Sequence, residues 1–241
     1  MFYVIALLIA AISAGTLHMQ IQGTIPTDPS AVEVTTARFS AHSGYQNYPP
    51  FHLGTSSIVE LPHRIDDKLR TPGGFYWYEF DFEVLPDSRM EALYIPRFAM
   101  NGEVYLNGER VGYFGPMTGE FAERNWNRPQ IINFGPSSLR PGKNTLSVQV
   151  RAFPDYIAGM STVWLGSDEN LREAYRSRYE AQVTSVYLST AFVLGAGIVL
   201  TILIGLGKSK NNMLMLLAAT CFLWGIRNLA FLTTVPPFEH G

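Results

Sequence analysis

Arg124-Asn125-Trp126-Asn127-Arg128-Pro129 gathers two guanidiniums, two amides and an indole into one short polar stretch. Arginine presents a rigid fork of donors to a carboxylate or phosphate, asparagine both donates and accepts, and tryptophan offers a stacking face. Arg124, Asn125, Trp126, Asn127 and Arg128 are therefore the candidate ligand-binding residues, suited to a carboxylate, a phosphate or a sugar. The same groups would also serve to fasten a long loop, with the indole at a core edge and the amides satisfying backbone. Trp77, within Tyr76-Trp77-Tyr78, is open to two readings as well, an exposed platform or a ring packed beneath a loop.

Catalytic chemistry finds no constellation. His18, His42, His52, His63 and His240 form no HExxH or other short ligand spacing, and there is neither a G-x-S-x-G elbow nor a P-loop. Gly195-Ala196-Gly197 lacks the third glycine of a dinucleotide fingerprint and falls in an apolar run, where small residues ease helix contact. The one cysteine, Cys221, excludes an intramolecular disulfide and any cysteine-based metal site. No catalytic residue, metal site or cofactor is expected in this chain.

The elements that must position the polar stretch follow from proline and periodicity. All but two of the 15 prolines lie between Pro26 and Pro154, and none lies from Asp155 to Val235. Proline is tolerated in turns and edge strands and breaks helices, so the first region is expected to be β and the second helical. Phe75 to Val84 alternates, with Tyr76, Tyr78, Phe80, Phe82 and Val84 apolar and Glu79, Asp81 and Glu83 between them, which predicts a half-buried strand. Ala92 to Ile95, Gln130 to Phe134 and Thr145 to Arg151 predict further strands, and Pro141-Gly142-Lys143-Asn144 a turn. Val104-Tyr105-Leu106, Asn107-Gly108 and Glu109-Arg110-Val111 predict a hairpin, because a type I′ turn needs positive φ at both central residues. Short strands with no helix between them predict a mainly β jelly-roll sandwich over residues 30–167, followed by α-helical transmembrane segments.

After Gly166 the period changes. Ser167 is placed to cap a helix with Asp168 and Glu169 in its first turn, and Leu171, Tyr175, Tyr179 and Val183 recur every four residues. This predicts a juxtamembrane helix over 168–182 that runs on into Val183 to Leu206, 24 residues without a formal charge and long enough to cross a bilayer. If continuous from Asp168 to Leu206, it would be roughly 58 Å long. A second span is expected over 213–235, interrupted by Arg227, which must face protein, a partner or water, or reach the membrane boundary. Residues 1–22, with the apolar run Phe2 to Ile12, read as an export signal or N-terminal anchor. Lys208 and Lys210 favour a cytoplasmic link, whereas Arg172, Arg176 and Arg178 crowd the other end of the first span, so the charge rule is divided. The N-terminal signal decides the expectation: β domain outside the bacterial inner membrane, the 208–211 link inside, Pro236 outside. The formal net charge of -2 points to no nucleic-acid partner.

Ala92-Leu93-Tyr94-Ile95-Pro96-Arg97, Met100 to Glu109, the Arg124 to Pro129 stretch and Leu139-Arg140-Pro141-Gly142-Lys143-Asn144-Thr145-Leu146 together resemble the extracytoplasmic region of bacterial membrane-bound sensor histidine kinases. Those proteins are similar to the seven-transmembrane receptors with diverse intracellular signalling modules. The Tyr-Leu-Asn-Gly hairpin and Pro-Gly-Lys-Asn turn also resemble the galactose-binding-like jelly roll found beside the catalytic barrels of glycoside hydrolases. The likeness covers about Phe75 to Leu232. It implies a receptor that senses a small molecule, a saccharide or a protein in the periplasm, pairs as a homodimer through its membrane helices, and carries further spans and a kinase or diguanylate cyclase after Gly241. No phosphoacceptor helix or ATP-binding box matches in this chain. The alternatives are a carbohydrate-binding module of a membrane-tethered glycoside hydrolase, and a protein-interaction module that binds no small ligand.

Overall fold

Strand alternation, hairpin chemistry and a change of period at Gly166 are all realised in the computed structural model, which describes residues 25–49, 56–66, 74–84, 89–119, 122–123, 125–154, 156–207 and 212–233. The expected N-terminal signal, Arg124, the 208–211 link and Pro236 lie outside the described residues. The chain forms two compact units that meet in sequence at Tyr179 and Glu180.

The first unit is a β sandwich. Its strands are β1 (Val32–Val34), β2 (Thr36–His42), β3 (Ser57–Glu60), β4 (His63–Arg64), β5 (Phe75–Val84), β6 (Ala92–Ile95), β7 (Phe98–Ala99), β8 (Asn101–Leu106), β9 (Glu109–Phe114), β10 (Gln130–Asn133), β11 (Gly142–Arg151), β12 (Gly159–Met160) and β13 (Val163–Gly166). They pair antiparallel as a four-stranded sheet β1-β13-β6-β10, a six-stranded sheet β3-β2-β5-β11-β8-β9 and a small sheet β4-β12-β7. The core lies between the two large sheets. Phe39, Tyr76, Tyr78, Phe80, Val104, Leu146, Val148 and Val150 project into it from one, and Leu93, Ile95, Ile132, Val163 and Leu165 from the other. Each large apolar side chain so buried contributes roughly 1.5–3 kcal/mol.

The period-two reading of β5 is correct for its even residues and incomplete for its odd ones. Trp77 is fully buried, its ring 5.5 Å from that of Tyr105, so it is not an exposed platform. The strand expected from Thr145 begins earlier, at Gly142 inside the expected turn.

The hairpin between β8 and β9 turns on Asn107 at φ 52° and Gly108 at φ 88°, the two positive φ values a type I′ turn requires. The Asn107 amide also donates to the Ser138 carbonyl at 2.9 Å and to Asn144 Oδ1 at 2.8 Å, while its own Oδ1 accepts from the Thr145 amide. Asn144 in turn closes its own turn by donating to the Arg140 and Gly142 carbonyls. The Tyr-Leu-Asn-Gly and Pro-Gly-Lys-Asn segments are thus one hydrogen-bonded corner.

Helix α1 (Asp168–Tyr179) starts with the Leu171 amide donating to the Ser167 carbonyl, and an Asp168–Arg172 pair one turn apart suits the helix dipole. Its apolar stripe does not wait for a membrane: Leu171, Ala174 and Tyr175 pack against Ala92, Tyr94, Ile131 and Trp164 on the outer face of the four-stranded sheet. All four residues of β6 are therefore buried, two in the core and two under the helix.

The helical backbone runs unbroken from Asp168 to Leu206, but it is not α throughout: Glu180–Thr184 is a π turn, followed by α2 (Ser185–Leu206). Within the second unit α2 pairs with α3 (Asn212–Leu232). A Cβ on Gly225 would lie 2.3 Å from Leu194 Cδ2, and one on Gly197 3.2 Å from Cys221, so small residues let these helices approach, whereas Gly195 has open space. Thr190, Thr201 and Thr220 each donate their hydroxyl to the carbonyl four residues earlier, at 2.6–2.8 Å. Asp168–Leu206 and Asn212–Leu229 are long and apolar enough to cross a membrane by length and composition. Arg227 is exposed on α3 with its guanidinium 4.8 Å from the centre of the Trp224 ring.

Candidate functional site

The small sheet β4-β12-β7 carries a groove of about 610 Å³. Its floor comes from three chain segments, Pro62 to Arg64, Arg97 to Met100 and Ala158 to Ser161, and its rim from Trp126, Tyr156 and Ile157. The segments can converge because Gly159, at φ 148°, has no side chain: a Cβ there would sit 2.2 Å from the His63 carbonyl oxygen. Trp126 is 42% exposed and offers part of its indole to the groove, and Ile157 is 60% exposed. The described lining includes Arg64 and Arg97 but neither Asp nor Glu.

His63 shares a 2.8 Å hydrogen bond between its Nδ1 and the Tyr78 hydroxyl. Burial holds the imidazole below the ordinary histidine value, so it is neutral in the folded protein at neutral pH. The unfolded chain then takes up the proton more readily than the folded one. Stability is full above about pH 6.5 and falls as the pH drops below it. Melting temperatures measured from pH 7.5 to pH 5 are expected to decline, and His63→Gln to flatten that decline; an equal slope in the variant would refute the assignment.

The candidate stretch is split by the structure. Trp126 reaches the groove. Asn125 is buried, with its amide donating to the Met100 carbonyl at 3.2 Å and its backbone carbonyl accepting from Arg128, which is the fastening role. Arg128 is half-buried, and its charge lowers the Tyr175 hydroxyl pKa that burial raises, which places it toward α1. Asn127 is half-buried in the same turn, and Arg124 lies outside the described residues.

Sequence reasoning missed the rest of the groove. His63, Arg64, Phe98 and Gly159 sit in two-residue strands too short to show a period, and a run of small and aromatic residues near Gly159 was the only signal. It also missed a buried polar row on the outer face of the six-stranded sheet. There Ser40, Trp77, Gln149 and Glu103 stand opposite one another across β2, β5, β11 and β8. Glu103 accepts from Arg110 at 2.8 Å, from the Tyr105 hydroxyl at 2.6 Å and from the Tyr45 hydroxyl at 3.0 Å. Burial first, then the Glu103 carboxylate, pushes both phenols up, so they remain protonated donors. Among the described residues no group of three or more His, Cys, Asp or Glu could hold a metal ion.

No family model matches the chain, and no curated protein matches it. Part of it is similar to solved structures of glycosidases. A glycosyl hydrolase family 2 member from Bacteroides cellulosilyticus is 16% identical at a TM-score of 0.43, covering 57% of this chain and 20% of that one. A β-glucuronidase from an uncultured Clostridium is 15% identical at 0.43, covering 60% and 30%. A β-glycosidase from Bacteroides vulgatus is 18% identical at 0.41, covering 56% and 20%. The chain thus spans between 20% and 30% of the length of these proteins.

Proposed function

We propose that this chain is the recognition part of a membrane-tethered protein, with a galactose-binding-like jelly roll outside the bilayer whose groove takes a saccharide. The observation that carries the reading is Trp126, a partly exposed indole at the mouth of a groove of about 610 Å³. Binding pockets of 300–1,000 Å³ with an aromatic face and a few convergent polar groups suit a small ligand. Sugars stack their C–H faces on indole and give their hydroxyls to donors of the kind Arg97 supplies. Two helices of membrane-crossing length and composition follow the sandwich.

A receptor is the second reading, favoured by a different observation. The helix packed on the sandwich continues without a break into the first apolar segment. A shift of the sandwich would move along it, provided a ligand binds two arrangements unequally. A histidine kinase or diguanylate cyclase output, pairing of two copies through the helices, and a periplasmic setting belong to this reading.

The test uses the full chain in lipid nanodiscs and calorimetric titration with cellotetraose, laminaritetraose and mannotetraose. At least one is expected to bind, with Trp126→Ala weakening it about tenfold or more, equivalent to about 1.4 kcal/mol. Arg97→Ala is expected to weaken it less, and Arg124→Ala measures the remaining member of the candidate stretch. Binding of none of the three, or binding indifferent to both Trp126→Ala and Arg97→Ala, overturns the saccharide reading.

A further inference from the structure

The groove on the small sheet has a charge as well as a shape. His63, Met160 and Phe98 stand opposite one another across β4, β12 and β7, and all three are turned inward: Met160 and Phe98 belong to the core, and His63 reaches the Tyr78 hydroxyl. Side chains alternate along a strand, so Arg64, which follows His63, and Arg97, which precedes Phe98, fall on the outward face. Both are exposed, and both line the groove. They flank β12 from its two sides. Arg64 stands opposite Gly159, and Arg97 opposite Ser161, whose amide donates to the Arg97 carbonyl at 3.0 Å. Two strand spacings and an offset of two residues along β12 put the arginine Cα atoms roughly 12 Å apart. Ala99, Gly159 and Ser161 lie between them, all small, so the floor is open from one arginine to the other.

Within the described lining no Asp or Glu offsets this charge. Arg97 is held by its backbone, which donates to Ser161 Oγ and accepts from the Ser161 amide, while its guanidinium enters no hydrogen bond, ion pair or ring contact among the described residues. The walls beside it are apolar, with Phe98, Met100, Trp126 and Ile157 among them. Apolar walls thin the water that screens a charge, so a guanidinium here acts more strongly on a ligand than one on open surface. A neutral sugar uses such a group only as a hydrogen-bond donor. A carboxylate uses both its charge and its planar fork, and bonds of that kind are roughly twice as strong as neutral ones.

We infer that the groove selects an acidic saccharide, one whose hexuronate carboxylate pairs with Arg97 while the C–H face of a sugar ring lies on Trp126. The inference rests on the saccharide reading of the groove and adds to it the charge of the ligand. Arg64, on the far side of β12, contributes a second positive charge, which favours a chain with a carboxylate on each residue over a single uronate.

The test compares matched pairs on the full chain in nanodiscs: cellotetraose against β-1,4-linked tetraglucuronate, and mannotetraose against β-1,4-linked tetramannuronate, each pair differing only at C6. Tetraglutamate serves as an anion without sugar rings. At least one uronate is expected to bind about tenfold or more tighter than its neutral partner near 0.1 M salt, and that preference to shrink toward about 1 M salt. Arg97→Gln should cost the uronate about tenfold and the neutral tetramer less, so that the two converge. Trp126→Ala should weaken both members of the pair and keep their ratio. Neutral tetramers bound as tightly as the uronates overturn the acidic preference and leave the saccharide reading standing. Binding of no tetramer of either kind overturns both. Tetraglutamate bound as tightly as the uronates, or a preference untouched by salt and by Arg97→Gln, also overturns the inference.

Discussion

Leu171→Asp is expected to detach helix α1 from the sandwich while the six-stranded sheet stays folded. Leu171 is fully buried among Ala92, Tyr94 and Trp164 on the outer face of the four-stranded sheet, with Arg178 bonded to the Tyr94 hydroxyl and Arg128 near Tyr175 as the cations beside the contact. Desolvating a carboxylate at such a contact costs several kcal/mol, which those cations offset only in part. That is enough to release a helix whose docking rests on Leu171, Ala174 and Tyr175. Hydrogen exchange should show lost protection over Asp168–Tyr179 and Ala92–Ile95, with Phe75–Val84 and Gly142–Arg151 unchanged. Leu171→Ala, which removes packing without adding charge, should cost about 2–5 kcal/mol and give a weaker version of the same pattern. Full protection of Asp168–Tyr179 in the aspartate variant would contradict the packing described. In the receptor reading, the variant should keep ligand binding and lose the response, as should a proline introduced at Arg176.

Gly159→Ala is expected to destroy the groove. The added Cβ would lie 2.2 Å from a backbone oxygen, that of His63, and only 3.1 Å from Arg64 Cα, at a φ of 148° that side chains rarely adopt. Backbone cannot swing aside as a flexible side chain can, so β4 and β12 must separate. Overpacking and backbone strain together suggest a cost of about 3 kcal/mol. Saccharide binding should be lost. Unchanged saccharide affinity would show that the groove is not where the ligand sits.

What could be read from the sequence depended on how far each signal reaches along the chain. The ten residues of β5 and the Asn107-Gly108 turn announce themselves because alternation and positive φ are local properties. Helix α1 was legible as a helix, but its stripe says only that Leu171 and Tyr175 face something apolar. Bilayer and sheet are indistinguishable in a four-residue repeat, and the sheet covers them. Trp77 and Gln149 fell on what alternation assigns to solvent. They are buried all the same, in a region where Tyr45 bonds Glu103 and Arg151 bonds the Gly119 carbonyl, contacts that span tens of residues. The candidate stretch was half legible for the same reason. The residue types showed that Asn125 must bond something, and only the fold shows that the Met100 carbonyl is one such partner.

The threonine hydroxyls of the two apolar helices have a bearing on how the hairpin dissolves in lipid. A bare hydroxyl carried from water into hydrocarbon costs several kcal/mol, on the order of 4–8 in a solvent that cannot hydrogen-bond. At Thr190, Thr201 and Thr220 the proton is already engaged by a carbonyl of the same helix, so most of that penalty is absent. The segments should therefore partition into oil better than residue-by-residue hydropathy implies. Replacing any of these threonines with valine should change insertion far less than the loss of a hydroxyl suggests.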